Sequence, residues 1–339
     1  MLKTISVLNS ILFFALCGHF AMALDPVQVQ KDLQGSGAVG WIHGSAPDQK
    51  IYVFTVRNPQ NFFDYAEFSL TSDSELILQQ LSQLSRHDQV RIKGNFLDIP
   101  SPQIHIDISS IETLLAYESG VPTKPYEHQT QIPEDLIKTT EATFLVHAVA
   151  GDGAVLVLEY QDVVVPVFVK KTELTKSLYR GDLIHLHYTI QHRPKEPVHL
   201  NLDESFGEKA LQVMESIKAQ HGKNISIEGR LVLFPKSPEI KFNVFAVEQN
   251  LSSGLRRQYT LVNFEDPELF QKIRQTLQTA WDQNPQFVNG RNKLISTKVR
   301  VQVTGVINEI DPSQANPQIL IPHLDALIVE PQPTLPTSK

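Results

Sequence analysis

The sequence predicts a mostly-β protein made of three tandem five-stranded barrels, each with a helix between its third and fourth strands. Three observations predict this fold class: short runs in which apolar and polar residues alternate, an order of strands and helix that occurs three times, and a proline that recurs before the last strand of each repeat. The chain has 339 residues, 41% of them hydrophobic, which is enough for several packed cores.

The first 23 residues predict an export signal. Lys3 is the only charge before the mostly apolar run 5–16, and Ala21 and Ala23 are the small residues of a cleavage site. This run is shorter than the roughly 20 residues that a transmembrane helix needs, and no later stretch is apolar enough to span a membrane. We therefore expect an exported protein, periplasmic or secreted, with an uncleaved N-terminal anchor as the alternative.

Each repeat ends in two strands joined by a turn. These pairs are Val90–Gly94 with Pro102–Ile108, Leu183–Tyr188 with Pro197–Leu202, and Val301–Gly305 with Pro317–Ile321. The alternation indicates strands with one buried face. Proline is tolerated at the first position of a strand, where its missing N–H removes no interior ladder bond. The same closing pair in each third of the chain indicates three copies of one unit.

A helical segment precedes each closing pair. Ser72 and Glu75 have the spacing of a capping box, Asp266 and Pro267 are an N-cap and first helical residue, and the middle helix ends at Gly181. Three strand-like runs precede each helix. They are 39–42, 51–56 and 65–70 in the first repeat, 142–150, 154–160 and 163–169 in the second, and 225–234, 240–248 and 257–263 in the third.

Three strands, a helix and two strands is an order that resembles the oligonucleotide/oligosaccharide-binding (OB) fold. The turn Arg180-Gly181-Asp182, followed by alternating residues 183–186, resembles the entry into the fourth strand of many OB-fold domains, and His87–Gly94 is a looser version. The resemblance covers most of the chain after residue 23 and is to a superfold. It implies a protein that binds an oligonucleotide, an oligosaccharide or another protein, without fixing which.

The segments between the repeats set the predicted domain boundaries. We expect a signal peptide at 1–23, barrels at 36–116, 140–204 and 223–330, a proline-rich linker at 117–139, a linker helix at 205–222 and a proline-rich tail at 331–339. The linker helix is predicted because Ala210, Leu211, Met214 and Ile217 share one helical face before Gly222.

Histidines of the second repeat form the first candidate site. His185 and His187 alternate on one face of the predicted fourth strand, and His147 and His199 lie on its expected neighbours, strands one and five. Facing side chains on paired strands lie about 5 Å apart at Cβ, and neutral imidazoles so placed suit Zn²⁺ or Cu²⁺. The alternative is a half-exposed polar sheet face, because no carboxylate or cysteine of obvious spacing completes the ligand set.

A second candidate site is a basic and aromatic face of the first repeat. Its predicted ligand-binding residues are Tyr52, Phe54, Arg57, Arg91, Lys93 and His105. Cations interleaved with aromatic rings are what a single-stranded nucleic acid uses on an OB barrel. The alternative is a solvated face on which Lys and Arg discourage edge pairing. A formal net charge of −7 disfavours nucleic acid as the partner.

The sequence contains none of three common enzyme signatures: Gly-x-Ser-x-Gly, His-Glu-x-x-His, or a glycine-rich phosphate loop. We therefore expect a non-enzymatic binding or scaffolding protein with a protein or glycan partner. Repeated barrels at a fixed spacing favour multivalent contact. No cofactor is expected, with Zn²⁺ or Cu²⁺ on the histidines and nucleic acid on the first barrel as the alternatives.

Overall fold

A computed structural model of the chain describes residues 24–46, 51–58, 61–99, 104–116, 132–150, 153–161, 163–191, 199–236, 242–289, 294–309 and 316–330. These residues form three closed five-stranded barrels with few helices, which confirms the predicted fold class. The predicted signal peptide, the proline-rich tail and most of the proline-rich linker lie outside the described residues. Across the described ranges, no helix combines the length and apolar character needed to cross a bilayer.

The first barrel closes around an aromatic and aliphatic core. Its elements are α1 (Pro26–Gln34), β1 (Ala38–Ala46), β2 (Ile51–Asn58), β3 (Asn61–Thr71), α2 (Glu75–Ser82), β4 (Gln89–Phe96) and β5 (His105–Leu115). The strand order is β1-β2-β3-β5-β4, and β1 pairs with β4 to close the barrel. Only β3 and β5 run parallel among these neighbours. Phe54, Phe68 and Ile92 are completely buried at its centre.

The second barrel repeats this topology. Its elements are α3 (Glu134–Lys138), β6 (Glu141–Ala150), β7 (Val155–Tyr160), β8 (Val163–Phe168), α4 (Glu173–Ser177), β9 (Leu183–Gln191), β10 (His199–Leu202) and β11 (Leu211–Glu215). The order β6-β7-β8-β10-β9 is closed by pairing of β9 with β6. The α4 helix begins at a capping box, in which the hydroxyls of Thr172 and Thr175 each accept the other residue's backbone N–H.

The third barrel is the largest. Its elements are β12 (Asn224–Phe234), β13 (Val244–Asn250), β14 (Arg256–Val262), α5 (Pro267–Asp282), β15 (Gln286–Asn289), β16 (Leu294–Asn308), β17 (Gln318–Leu320) and β18 (Leu327–Glu330). The ring β12-β13-β14-β17-β16 closes by pairing of β12 with β16. Asp266 caps α5 by accepting from the backbone of Glu268 and Leu269, and Ile273, Leu277 and Trp281 bury its inner face.

The linker helix predicted over 205–222 does not form, which corrects the sequence-based assignment. This segment contains a 3₁₀ helix at Glu204–Lys209, strand β11 and a 3₁₀ turn at Lys218–Gln220. Both β10 and β11 pair with the same edge of β9: β11 pairs with its first half and β10 with its second half. The fifth strand of the second barrel is therefore split, as β17 and β18 split that of the third.

The helical spacing in this segment has another cause. Leu211 enters the core of the second barrel, whereas Ile217 enters the core of the third. Gly207 adopts a positive φ of 58°, which interrupts helical geometry in the middle of the 3₁₀ segment. Apolar residues that serve two different cores thus imitate the stripe of one amphipathic helix.

The end of the predicted proline-rich linker also belongs to the second barrel. Ile132 and Leu136 are buried in its core, and Tyr188 donates its hydroxyl hydrogen to the carbonyl of Leu136 over 2.8 Å. The core of the second barrel therefore draws on residues on both sides of the predicted range 140–204, and the last eight residues of the linker range (132–139) lie against a barrel.

The turn before β9 joins the second barrel to the third. Tyr179 is buried within the core cluster of the third barrel. The carboxylate of Asp182 accepts hydrogen bonds from the backbone N–H groups of Tyr179 and Ile217, both at 2.7 Å. Burial raises the pKa of Asp182, and these two hydrogen bonds oppose that shift. The turn that the sequence places at the strand-four entry is thus a buried connection between barrels.

Candidate metal centre

The fourth strand of the second barrel places two histidines on its outer face. Along β9, Ile184, Leu186 and Tyr188 are completely buried, whereas the side chains of His185 and His187 are 27% and 16% exposed. This follows from the period of two along a strand. The two imidazole rings stand at 90° to each other with centroids 5.5 Å apart. The predicted alternation on this strand is therefore observed.

The neighbouring strand β6 adds a carboxylate to these rings. Glu141 is the register partner of His187, and Thr143 is the register partner of His185. Glu141 Oε2 lies 3.2 Å from His187 Nδ1 and 3.7 Å from His185 Nε2. One donor atom from each of Glu141, His185 and His187 lies within 4.8 Å of the others, and these residues form the one such metal-ligand cluster found in the described part of the chain.

A hydroxyl group orients one of the rings. Thr143 Oγ1 lies 3.3 Å from Nδ1 of His185. When the Nδ1–H of His185 donates to this oxygen, the lone pair of Nε2 faces Glu141. Metal-ligating histidines commonly use their second nitrogen in this way, which fixes both the tautomer and the ring orientation. Thr143 therefore supports His185 as a donor through Nε2.

The spacing suits a tetrahedral ion. Donor atoms about 2.1 Å from a tetrahedral Zn²⁺ are about 3.4 Å apart from one another. The separations of 3.2 and 3.7 Å from the Glu141 oxygen bracket that value. Two imidazoles and one carboxylate would fill three positions of such an ion, and because Glu141 is 55% exposed, a fourth position would be open to solvent. The arrangement can hold a divalent transition metal with one site open to water or to another donor.

The structure does not bring His147 to this cluster, which corrects the predicted ligand set. His147 follows Glu141 on β6 by six residues, which is about 20 Å along a strand. Its Nδ1 lies 3.9 Å from a carboxylate oxygen of Glu159. Burial, followed by the charges of Arg180 and Arg86, lowers the pKa of His147 well below its usual value. His147 is half-buried beside the buried Glu159.

His199 is also remote from the cluster. It lies on β10 opposite Gln191, four residues beyond His187 on β9, or about 13 Å along the strand. Sequence reasoning instead missed Glu141, because the predicted first strand began at residue 142. Extending that strand by one residue would have placed Glu141 and Thr143 on the face opposite to that of the buried Phe144.

The other two barrels carry ion pairs on the outer face of the fourth strand. Arg91 on β4 lies 2.7 Å from Glu112 of β5 in the first barrel. Arg300 on β16 pairs with Glu228 of β12 in the third. In the third barrel, as in the second, the carboxylate lies on the first strand, whereas in the first barrel it lies on the fifth.

Burial removes two residues from the predicted ligand-binding face of the first barrel. Tyr52 and Phe54 are 2% and 0% exposed and belong to the core. They alternate along β2 with the half-buried Val53, so the aromatic residues are on the inner face of this strand. The predicted combination of cations and stacking rings on one surface is therefore not formed by these residues.

The remaining four residues of that face do not converge. Arg91 is engaged by Glu112, and the guanidinium of Arg57 lies 5.0 Å from the ring centre of Tyr65 on β3. Lys93 is exposed on β4, and His105 is half-buried at the start of β5. These four residues lie on β2, β4 and β5, and no surface of aromatic residues connects them in the described part of the chain.

Three closed barrels of strand order one-two-three-five-four, each with a helix after the third strand, define a tandem OB-like protein. No family model matches the sequence, and no curated protein matches it.

Several solved structures resemble part of the chain. The tetrameric p202 HIN2 crystal structure has 12% identity, covers 52% of this chain and 92% of its own, and gives a TM-score of 0.19. The p204 HINb domain has 11% identity, coverages of 54% and 100%, and a TM-score of 0.20. A murine DNA-binding protein bound with double-stranded DNA has 13% identity, coverages of 49% and 88%, and a TM-score of 0.17. Similarity at this level carries no weight for the ligand of this chain.

Proposed function

We propose that this protein is a non-enzymatic binding protein whose second barrel holds a divalent transition-metal ion between Glu141, His185 and His187. The observation that carries the proposal is the convergence of three donor atoms within 4.8 Å on two paired strands. Imidazole with carboxylate is a ligand set suited to Zn²⁺ and Cu²⁺. These residues would hold the ion, and its open position would accept water or a donor group from a partner.

The strands preorganise this site. On one side, both histidines pair with β6. On the other side, His185 pairs with Gln212 of β11 and the N–H of His187 donates to the carbonyl of Ala210, so both histidine backbones are held from two directions. Ligands on rigid elements need little reorganisation to bind a metal, which lowers the entropic cost of binding. Because coordinating imidazole and carboxylate must be deprotonated, metal affinity is expected to fall on acidification.

We also propose that the protein is exported, as residues 1–23 predict, and that its barrels bind a protein or glycan partner. The support for this proposal is the sequence pattern of the first 23 residues and the three OB-like barrels, which offer separate faces. The nucleic-acid alternative is not proposed, because Tyr52 and Phe54 are core residues and the formal net charge is −7.

Titration calorimetry on the metal-free full chain tests the metal proposal. We expect one Zn²⁺ or Cu²⁺ per chain in the wild type, no stoichiometric uptake by the double variant His185→Ala/His187→Ala, and weaker binding by Glu141→Gln. His105→Ala is the matched control, since it removes a half-buried strand histidine of the first barrel. Circular dichroism verifies that the variants fold. A wild-type chain that takes up neither ion would show that the cluster is a solvated polar face.

A further inference from the structure

Residues 203–210 form a loop, here called the arch, both ends of which are hydrogen-bonded to the backbone of His187 in the second barrel. The N–H of Asp203 donates to the carbonyl of His187, and the N–H of His187 donates to the carbonyl of Ala210, both over 2.9 Å. The arch is the 3₁₀ segment that splits the fifth strand between β10 and β11. One ligand of the candidate metal centre therefore anchors both ends of this excursion.

A phenylalanine in the arch covers the ring of the same histidine. The Phe206 and His187 rings are stacked with centroids 3.9 Å apart and an angle of 2° between their planes. Phe206 is 44% exposed, so it packs against the imidazole from the solvent side. Rotation of the His187 ring out of the stack would carry Nδ1 away from the Glu141 oxygen, which is 3.2 Å distant. The stack holds the imidazole in the orientation that a shared ion requires.

Apart from this stack, burial of apolar side chains contributes little to holding the arch against the barrel. None of residues 204–209 is buried. Its internal order comes from the Asp203 carboxylate, which accepts from the N–H and hydroxyl of Ser205 at 3.1 and 2.6 Å. Segments with few buried apolar contacts open locally at low free energy. The stack of Phe206 on His187 therefore contributes much of the free energy that keeps the arch closed.

We propose that Phe206 is a positioning residue for His187, and that the metal ion and the closed arch stabilise each other; this rests on the metal site proposed above. A coordinated ion withdraws electrons from the imidazole and gives it cationic character. A cationic ring over an aromatic face is more strongly attracted than a neutral one. Because binding linkage is reciprocal, the ion stabilises the stack by the same factor by which the stack strengthens binding of the ion.

Zn²⁺ titration combined with hydrogen exchange of the full chain tests this coupling. In the wild type, we expect Zn²⁺ to slow amide exchange within residues 204–209. Phe206→Ala should weaken Zn²⁺ binding about 3- to 10-fold, the loss of one aromatic stack, and should abolish the Zn²⁺-dependent protection of the arch. Phe206→Trp should restore both. Phe264→Ala removes a 60% exposed phenylalanine from the third barrel and should change neither.

The outcomes separate the two proposals. Failure of the wild type to bind either Zn²⁺ or Cu²⁺ overturns both the metal site and the coupling. If Phe206→Ala binds Zn²⁺ as tightly as the wild type, while the double variant His185→Ala/His187→Ala does not bind, the metal site stands and the positioning role is refuted. Equal Zn²⁺-dependent protection of residues 204–209 in the wild type and in Phe206→Ala also refutes it.

Discussion

Arg257 of the third barrel donates through Nε to the carbonyl oxygen of Gly181 in the second barrel over 2.8 Å. The same guanidinium donates to the Tyr259 hydroxyl at 3.2 Å, and its Nη2 lies 2.9 Å from a Glu215 oxygen. Arg257 is only 3% exposed, and a buried cation is stable only when such partners surround it. This residue therefore fixes the second and third barrels against each other.

Removing Arg257 is expected to destabilise the junction between these barrels. Arg257→Met keeps much of the side-chain length but leaves the Gly181 carbonyl without this donor, and should lower the free energy of unfolding by about 2–3 kcal/mol in urea denaturation. Arg300→Met is the control, because Arg300 and Glu228 are 62% and 52% exposed. That variant should lose less than about 1 kcal/mol. Equal losses in the two variants would contradict the assignment of Arg257 to a buried junction.

Gly181→Ala should cost more than the same substitution at Gly222. Both residues have positive φ, 92° and 76°, so alanine is strained at each by about 1–2 kcal/mol. A Cβ at Gly181 would also lie 3.3 Å from Pro317 and 3.4 Å from Ile217, whereas at Gly222 it would meet open space. Thermal unfolding of both variants measures the difference. Equal melting temperatures would show that the junction accommodates a methyl group at Gly181. This glycine would then be needed only for the backbone conformation of its turn.

Acidification should destabilise the folded chain through two half-buried histidines, His43 and His147. Burial lowers the pKa of His43 to about 3, with smaller contributions from Arg86, His87, Arg57 and Arg180, and the pKa of His147 is lowered as well. The unfolded chain binds these protons near pH 6.5, so stability is fully present above that pH and is lost as the pH falls towards the folded pKa.

Urea denaturation between pH 7.5 and 5.5 measures this pH dependence in a range where carboxylates of ordinary pKa stay ionised. The double variant His43→Gln/His147→Gln should lose less stability over this interval than the wild type does. His323→Gln changes an exposed histidine and should leave the wild-type slope intact. A slope in the double variant as steep as that of the wild type would contradict the prediction.

Leu136→Ala should destabilise the second barrel by about 2–4 kcal/mol, because Leu136 is completely buried in its core. The adjacent residue offers a matched control. Ile137 is 44% exposed, and Ile137→Ala should cost less than about 1 kcal/mol. Urea denaturation of both variants decides whether the short helix α3 is part of the barrel. Similarly small losses of unfolding free energy in both variants would show that α3 belongs to the predicted linker and is not part of the barrel.

The local pattern was sufficient for the fold but not for the site. Alternation correctly predicted that Ile184, Leu186 and Tyr188 face inward while His185 and His187 face outward, because the period of a strand is a local property of the backbone. The same reasoning failed at 205–222, where apolar residues divide between two cores. Local spacing cannot distinguish one amphipathic helix from contacts with two neighbours.

By itself, the sequence determined that this chain is a threefold repeat of small β-barrels, because apolar periodicity, caps and prolines act over a few residues. The export signal at residues 1–23 remains a prediction from sequence. Only the tertiary structure decided that Glu141 lies beside His187 and that His147 and His199 do not, because strand register is set by pairing between residues distant in the chain. A shift of one residue in that register would have turned the Glu141 carboxylate away from the imidazoles.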